Sequence, residues 1–231
     1  MSETPLVYGH RGASVAATEN TLEAFRIAAE QGADGVELDV RRSADGSLVL
    51  HHDAGLGDGR IISATLAADL PVHIPTLDAA LVVCEGLIVN IEIKNIPGEP
   101  DFDETCSLAD EVVALLHERG DRDRVVISSF HLRTIDRVKE LAPDVATGFL
   151  CMLDPLPADG VGPAARRGHD AIHPHHLLVD DALVAAAHAA GLTVNVWTVD
   201  DPDELAHLAR LGVDAVVTNV PDVALGVLRR E

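Results

Sequence analysis

The feature that most constrains this chain is a repeated punctuation, in which a helix-like segment ends in glycine and a short run rich in β-branched residues follows within a few positions. It recurs at Gly32, Gly86, Gly120, Gly168, Gly191 and Gly212, ahead of runs at 36–40, 87–93, 125–128, 171–172, 193–196 and 215–217. Glycine supplies the positive φ of a helix C-cap, and β-branched residues favour strands. The pattern is the βα repeat of a parallel sheet. With runs at 6–8 and 147–150, it gives eight strands, each followed by helix or loop. Eight such units in 231 residues match an α/β fold of the (β/α)8 TIM-barrel type, spanning 1–231 as one domain.

An open, doubly wound sheet is the competing arrangement, because βα repeats alone do not show closure. The placement of polar residues favours the barrel: His10, Glu37, Asp39, Glu92, Lys94, His173, Trp197 and Thr218 fall late in a strand run or just after it. Barrel enzymes carry their sites on that face. A ninth strand is expected at 48–52, since Asp45-Gly46 ahead of it is a hairpin turn signal. This hairpin would bring His52 back over the barrel mouth, and 54–75 reads as a loop excursion.

The helical segments are marked at both ends. Apolar faces run through Leu22, Phe25 and Ala29, through Leu183, Ala187 and Ala190, and through Leu205, Leu208 and Ala209. Asn20 with Glu23 has the form of a capping box, Thr76 is an N-cap candidate, and Asp201 precedes Pro202 at a first helical position.

Two strand runs carry charge where parallel strands are normally apolar on both faces. Glu37-x-Asp39 and Glu92-x-Lys94 are period-2 pairs, so each pair projects to one side of its strand. Buried carboxylates without a partner cost several kcal/mol each, so three that converge call for a cation. Oxygen ligands from Glu37, Asp39 and Glu92 suit a hard divalent metal ion, Mg2+ or Ca2+, with Mn2+ also compatible. Arg11 and Lys94 are placed to offset phosphate charge, and His10 and His52 to exchange protons.

Taken singly, each of these residues has an ordinary explanation: a strand carboxylate in a salt bridge, or a histidine satisfied at the surface. Their co-occurrence at strand ends is what points to a site. His173-Pro174-His175-His176 lacks the cysteine or acidic partners of a zinc site, so His173 is kept only as a residue lining the pocket, with Trp197 as a wall. His117, His188 and His207 read as surface residues. The glycines at 55, 57 and 59 lack the Lys-Ser or Lys-Thr of a phosphate loop and read as a mouth loop.

Composition excludes several classes. The formal charge of −21 opposes binding to nucleic acid or to an anionic membrane through a basic face. No run of eighteen apolar residues occurs, and Met1-Ser2-Glu3-Thr4-Pro5 carries no signal-like pattern, so a soluble, cytoplasmic protein without stable membrane insertion is expected. Three scattered cysteines fit reduced thiols.

The segments YGHRGAS (8–14), ENTLEAF (19–25), GADGVELDV (32–40), LVLHHD (48–53) and NIEIK (90–94) together resemble the glycerophosphodiester phosphodiesterase family. WTVDDPDEL (197–205) and DAVVTNVPD (214–222) look like its closing segments, so the likeness covers almost the whole chain. The resemblance implies a metal-dependent barrel that hydrolyses a small glycerophosphodiester to sn-glycerol 3-phosphate and an alcohol. It implies His10 and His52 as the acid and base pair, in either order; Glu37, Asp39 and Glu92 as metal ligands; Arg11 and Lys94 as phosphate contacts; and Glu19 and Asn20 as neighbours that orient these groups. The His-Asp pairing selects His52 over His51. Thr18 stands where the family commonly has proline, and the short loop after Asp53 suggests a small, open pocket accepting varied head groups. A monomer or homodimer is expected. The alternatives are a phospholipase D-like or lysophospholipase D-like barrel acting on lysolipids, and a non-catalytic phosphodiester-binding module.

Overall fold

The computed structural model describes residues 4–152 and 160–229. Nine strands occur among them: β1 (Leu6–His10), β2 (Gly35–Arg42), β3 (Leu48–Leu50), β4 (Ile88–Ile93), β5 (Val125–Ser129), β6 (Ala146–Cys151), β7 (Ala171–Pro174), β8 (Thr193–Val196) and β9 (Ala215–Thr218). Eight of them run parallel around a ring in the order β1-β2-β4-β5-β6-β7-β8-β9, and β9 pairs back onto β1. This closure makes a barrel and rules out the open sheet. β3 lies outside the ring, antiparallel to the end of β2, with Val40 opposite Leu50 and Arg42 opposite Leu48. It is shorter than the expected run, though the His51 amide still donates to the Asp39 carbonyl at 3.1 Å.

Eight helices surround the ring among the described residues: α1 (Leu22–Glu30), α2 (Leu77–Val83), α3 (Ser107–Arg119), α4 (Leu132–Leu141), α5 (Val161–Arg166), α6 (Asp181–Ala189), α7 (Pro202–Leu211) and α8 (Pro221–Leu228). The six glycines predicted as helix ends all have φ between 75° and 88°. Thr76 caps α2, and Asp201 caps α7 ahead of Pro202. At α1 the expected cap is displaced by one residue: Thr21, not Asn20, accepts from the Ala24 amide. Asn20 is diverted to the site described below. The buried face of α1 is Ala24, Phe25 and Ala28, while Ala29 is exposed. Residues 54–75 contain two short 3-10 turns within an otherwise irregular excursion.

Strand parity divides the molecule. Val36, Leu38, Val40, Val89, Ile91 and Ile93 point outward and pack with Phe25, Leu77, Leu81 and Leu116 of the helices. A second apolar cluster continues this layer behind β6 to β9. The alternate residues point into the barrel, where Tyr8, Ala215 and Val217 form a small apolar floor. Above that floor the interior becomes polar: Glu37, Asn90, Glu92, Ser128, His173 and Asn195 are all buried. A barrel core is normally filled by branched apolar side chains, so this polar layer marks the end of the barrel that works. Among the described residues no helix is long and apolar enough to cross a membrane.

Candidate active site

Register brings the charges together. Asp39 is paired with Glu92 across β2 and β4, and Glu37 with His10 across β2 and β1. Glu37 is only the third residue of β2, yet it is level with the last residue of β1, because β2 runs on past the ring to meet β3. Ligand oxygens of Glu37, Asp39 and Glu92 lie within 4.8 Å of one another, and all three residues are buried.

Two cations face these three carboxylates. The Lys94 ammonium donates to Glu92 Oε1 at 2.7 Å and lies 3.4 Å from Asp39 Oδ1. Arg11 places its Nε 3.1 Å from Asp39 Oδ2 and donates from Nη1 to Glu19 at 3.0 Å. Its backbone, in the left-handed region at φ 54°, turns the amide onto Glu37 Oε2 at 3.0 Å. Asn20, also left-handed, clamps Asp39 twice: Nδ2 donates to Oδ2 at 2.7 Å, and Oδ1 accepts from the Asp39 amide at 3.2 Å.

Protonation follows from this imbalance. Burial, reinforced by the charges of Asp39 and Glu92, pushes the Glu37 carboxyl well above its ordinary range. Burial also opposes the charged form of Asp39, but Lys94 and Arg11 outweigh it and bring that group down to about 2. Glu92 is raised by burial despite its contact with Lys94. Glu37 Oε1 has no hydrogen-bond partner. Three buried carboxylates against two cations, with Glu37 Oε1 and Asp39 Oδ1 both lacking a hydrogen-bond partner, form a donor set that fits a divalent ion held by Glu37, Asp39 and Glu92.

The two imidazoles are held differently. His10 Nδ1 lies 2.7 Å from Asn219 Oδ1, and Asn219 is fixed by Asp200, which accepts from its Nδ2 at 2.6 Å and its backbone amide at 2.8 Å. A carboxylate only accepts, so Asp200 sets which way the Asn219 amide points, and Asn219 Oδ1 must then receive a proton from His10 Nδ1. The lone pair of neutral His10 is therefore on Nε2, on the side of Glu37 Oε2 at 3.9 Å. Burial, then the charge of Arg11, lowers the pKa of His10. His52 instead has its Nδ1 2.7 Å from the carboxylate of Asp53. Its carbonyl is gripped by Arg41, from Nε at 3.0 Å and Nη2 at 2.5 Å. Arg41 is fully buried and ion-pairs with Glu99 at 2.8 Å and Asp101 at 2.7 Å. His51 turns to the Asp53 carbonyl.

A small cavity of about 20 Å3 at the centre of the barrel is lined by His10, Glu37, Asn90, Glu92, His173 and Trp197 among others. His173 lies 2.9 Å from Asn195 Nδ2, and burial pushes its pKa down to about 4. Gly148 makes room for it, since a Cβ there would sit 2.3 Å from His173 Nε2. Trp197 donates to the His173 carbonyl at 2.7 Å and meets Phe130 edge to face. A larger groove of about 700 Å3 opens outward from His10, Arg11, His52, Glu92 and Lys94. That volume contradicts the small pocket expected from the short loop after Asp53. Its walls come instead from apolar residues of β6 and of the segments after β4, β5, β6 and β8, which form no single run in the sequence.

The candidate site residues are thus brought together: His10, Arg11, Glu37, His52, Glu92, Lys94, His173 and Trp197 line the cavity or the groove, Asp39 lies with Glu37 and Glu92, and Glu19 and Asn20 bond Arg11 and Asp39. The sequence reading missed Asn219, Asp200, Arg41, Asn90 and Asn195. Period-2 parity with Glu37, Glu92 and Trp197 was the available signal for Arg41, Asn90 and Asn195. Asn219 and Asp200 stood inside motifs already noticed.

A closed βα barrel with carboxylates, imidazoles and basic groups gathered at its strand ends defines a hydrolase-type site. The family model for the glycerophosphoryl diester phosphodiesterase family matches residues 10–223, so the chain belongs to that family and is a phosphoric diester hydrolase. It is 31% identical to a glycerophosphodiester phosphodiesterase of Caldanaerobacter subterraneus subsp. tengcongensis over 97% of this chain and 98% of that one. Among solved structures it is similar to an Oleispira antarctica phosphodiesterase in complex with the product sn-glycerol-3-phosphate (TM-score 0.84, 28% identity, 98% of each chain covered). The glycerophosphodiester phosphodiesterase of Thermotoga maritima is another such neighbour (TM-score 0.80, 28% identity, 100% of each chain covered).

Proposed function

We propose that this chain hydrolyses glycerophosphodiesters to sn-glycerol 3-phosphate and an alcohol, with His10 as the first general base, His52 as the first general acid, and a divalent ion held by Glu37, Asp39 and Glu92. The observation that carries the division of labour is the pair of Nδ1 contacts: His10 donates to a neutral amide and keeps its Nε2 free, whereas His52 faces a carboxylate. When bound, the ion supplies positive charge to the phosphoryl oxygens and so favours the transition state.

In the first step His10 Nε2 takes the proton of the glycerol 2-hydroxyl as that oxygen bonds to phosphorus. The bond from phosphorus to the alcohol oxygen breaks, and His52 gives that oxygen its proton. In the second step the roles exchange: neutral His52 takes a proton from water as the water oxygen bonds to phosphorus. The bond to the 2-oxygen breaks, and His10 returns the proton to it. Arg11 and Lys94 hold non-bridging phosphate oxygens, Glu19 and Asn20 hold Arg11 and Asp39 in place, and His173 and Trp197 line the substrate end of the barrel.

The test is release of sn-glycerol 3-phosphate from glycerophosphoethanolamine in the presence of Mg2+, Ca2+ or Mn2+. Turnover is expected to fall at least about 100-fold in His10→Ala and in His52→Ala, the usual scale for losing an acid or base. Undiminished turnover in either variant contradicts the proposal.

A further inference from the structure

The groove that opens from the catalytic groups is far more apolar than a head-group pocket needs to be. Ile96, Phe130, Leu132, Phe149, Met152 and Trp197 form its walls. Met152 is 42% exposed there, in a chain whose formal charge is −21. A contiguous apolar trough of this size, beginning at charged reacting groups, is the shape of a site for an amphiphile.

Position decides which end of the substrate it takes. His10 lines both the small deep cavity and the groove, whereas His52 lines only the groove. Ile96 and Pro97 of the same wall follow Lys94 by two and three residues. The two carboxylates that line the groove are both engaged, Glu99 with the buried Arg41 and Glu92 with Lys94, so neither offers much to a cationic head group. We infer that the preferred substrates are glycerophosphodiesters whose leaving alcohol carries a single hydrocarbon chain, laid along this groove with its oxygen at His52. The inference rests on the acid and base assignment proposed above.

The experiment compares sn-glycero-3-phosphomethanol, -butanol and -octanol, each below its aggregation concentration, with a lysophosphatidylcholine whose chain is on the glycerol. Burial of methylenes predicts that kcat/KM rises about 100-fold from methyl to octyl, less than full burial of the chain would give. Ile96→Glu and Met152→Glu, both in the groove wall, are each expected to cut the octyl-to-methyl ratio about tenfold, and a charge at the fully exposed Val72, which does not line the groove, leaves the ratio unchanged. A flat series with good turnover of the methyl ester overturns this inference and leaves the proposed function standing. Turnover of the lysolipid with a flat alkyl series overturns the assignment to the leaving alcohol. Failure to cleave any diester removes the proposed function and this inference with it.

Discussion

At the scale of residues, the proposed division of labour depends on which nitrogen of each histidine is tied down. Asp200, Asn219 and His10 form a chain in which each hydrogen bond dictates the direction of the next, ending with a basic Nε2. Asn219→Asp replaces the neutral acceptor with a carboxylate of the same shape, which favours the imidazolium and raises the pKa of His10. The neutral base then survives only at higher pH, so the acid limb of the kcat/KM profile should move upward; an unmoved limb would argue that His10 is not the base. His173 gives a separate signature in stability. Its pKa is about 4 when buried, against an ordinary value near 6.5, so between these values the unfolded chain binds more protons. The stability it protects is complete above about pH 6.5 and is lost as pH falls towards 4, on the order of 3 kcal/mol. Urea unfolding of His173→Gln should lose that part of the pH dependence, and an identical profile in the variant would show that His173 does not supply it.

At the scale of elements, the hairpin of β2 and β3 is what delivers His52. The sequence foretold this strand pair from Asp45-Gly46, and the family resemblance selected His52 over His51. It did not foretell what holds the loop beyond Leu50. Arg41 does so, from the same face of β2 as Glu37 and Asp39, by gripping the His52 carbonyl and joining it to Glu99 and Asp101. Arg41→Met removes a buried partner of two carboxylates and is expected to cost about 3 kcal/mol. It should also lower kcat more than it raises KM, because it misplaces the acid without touching the phosphate. A variant that loses stability but keeps kcat would reduce Arg41 to a structural role.

At the scale of the whole molecule, the repeat of glycine and strand made the barrel legible, and period-2 charge within two strands made the carboxylate cluster legible, because both are local patterns. What remained hidden depends on closure. β9 pairs with β1 only when the ring forms, and that pairing carries Asn219 to His10 across 209 residues of chain. The groove likewise gathers walls from segments after four separate strands. Asn20 was misread as a helix cap because its true partner, Asp39, is brought to it only by packing. The carboxylates belong to β2 and β4, neighbouring strands of the ring, so occupying them should stabilise the entire barrel. An ion present at about 100 times its Kd adds about 2.7 kcal/mol, which in a domain of this size corresponds to a rise of roughly 5–10 °C in Tm.

The most direct measurement combines both readouts on one metal-free preparation. A divalent ion is titrated in while Tm and release of sn-glycerol 3-phosphate are followed, for the native chain and for Glu37→Gln. The expected result is a rise in Tm and the onset of turnover at the same ion concentration, both absent or displaced to far higher concentration in Glu37→Gln. Full turnover in excess chelator, or an unchanged titration in Glu37→Gln, would contradict the account.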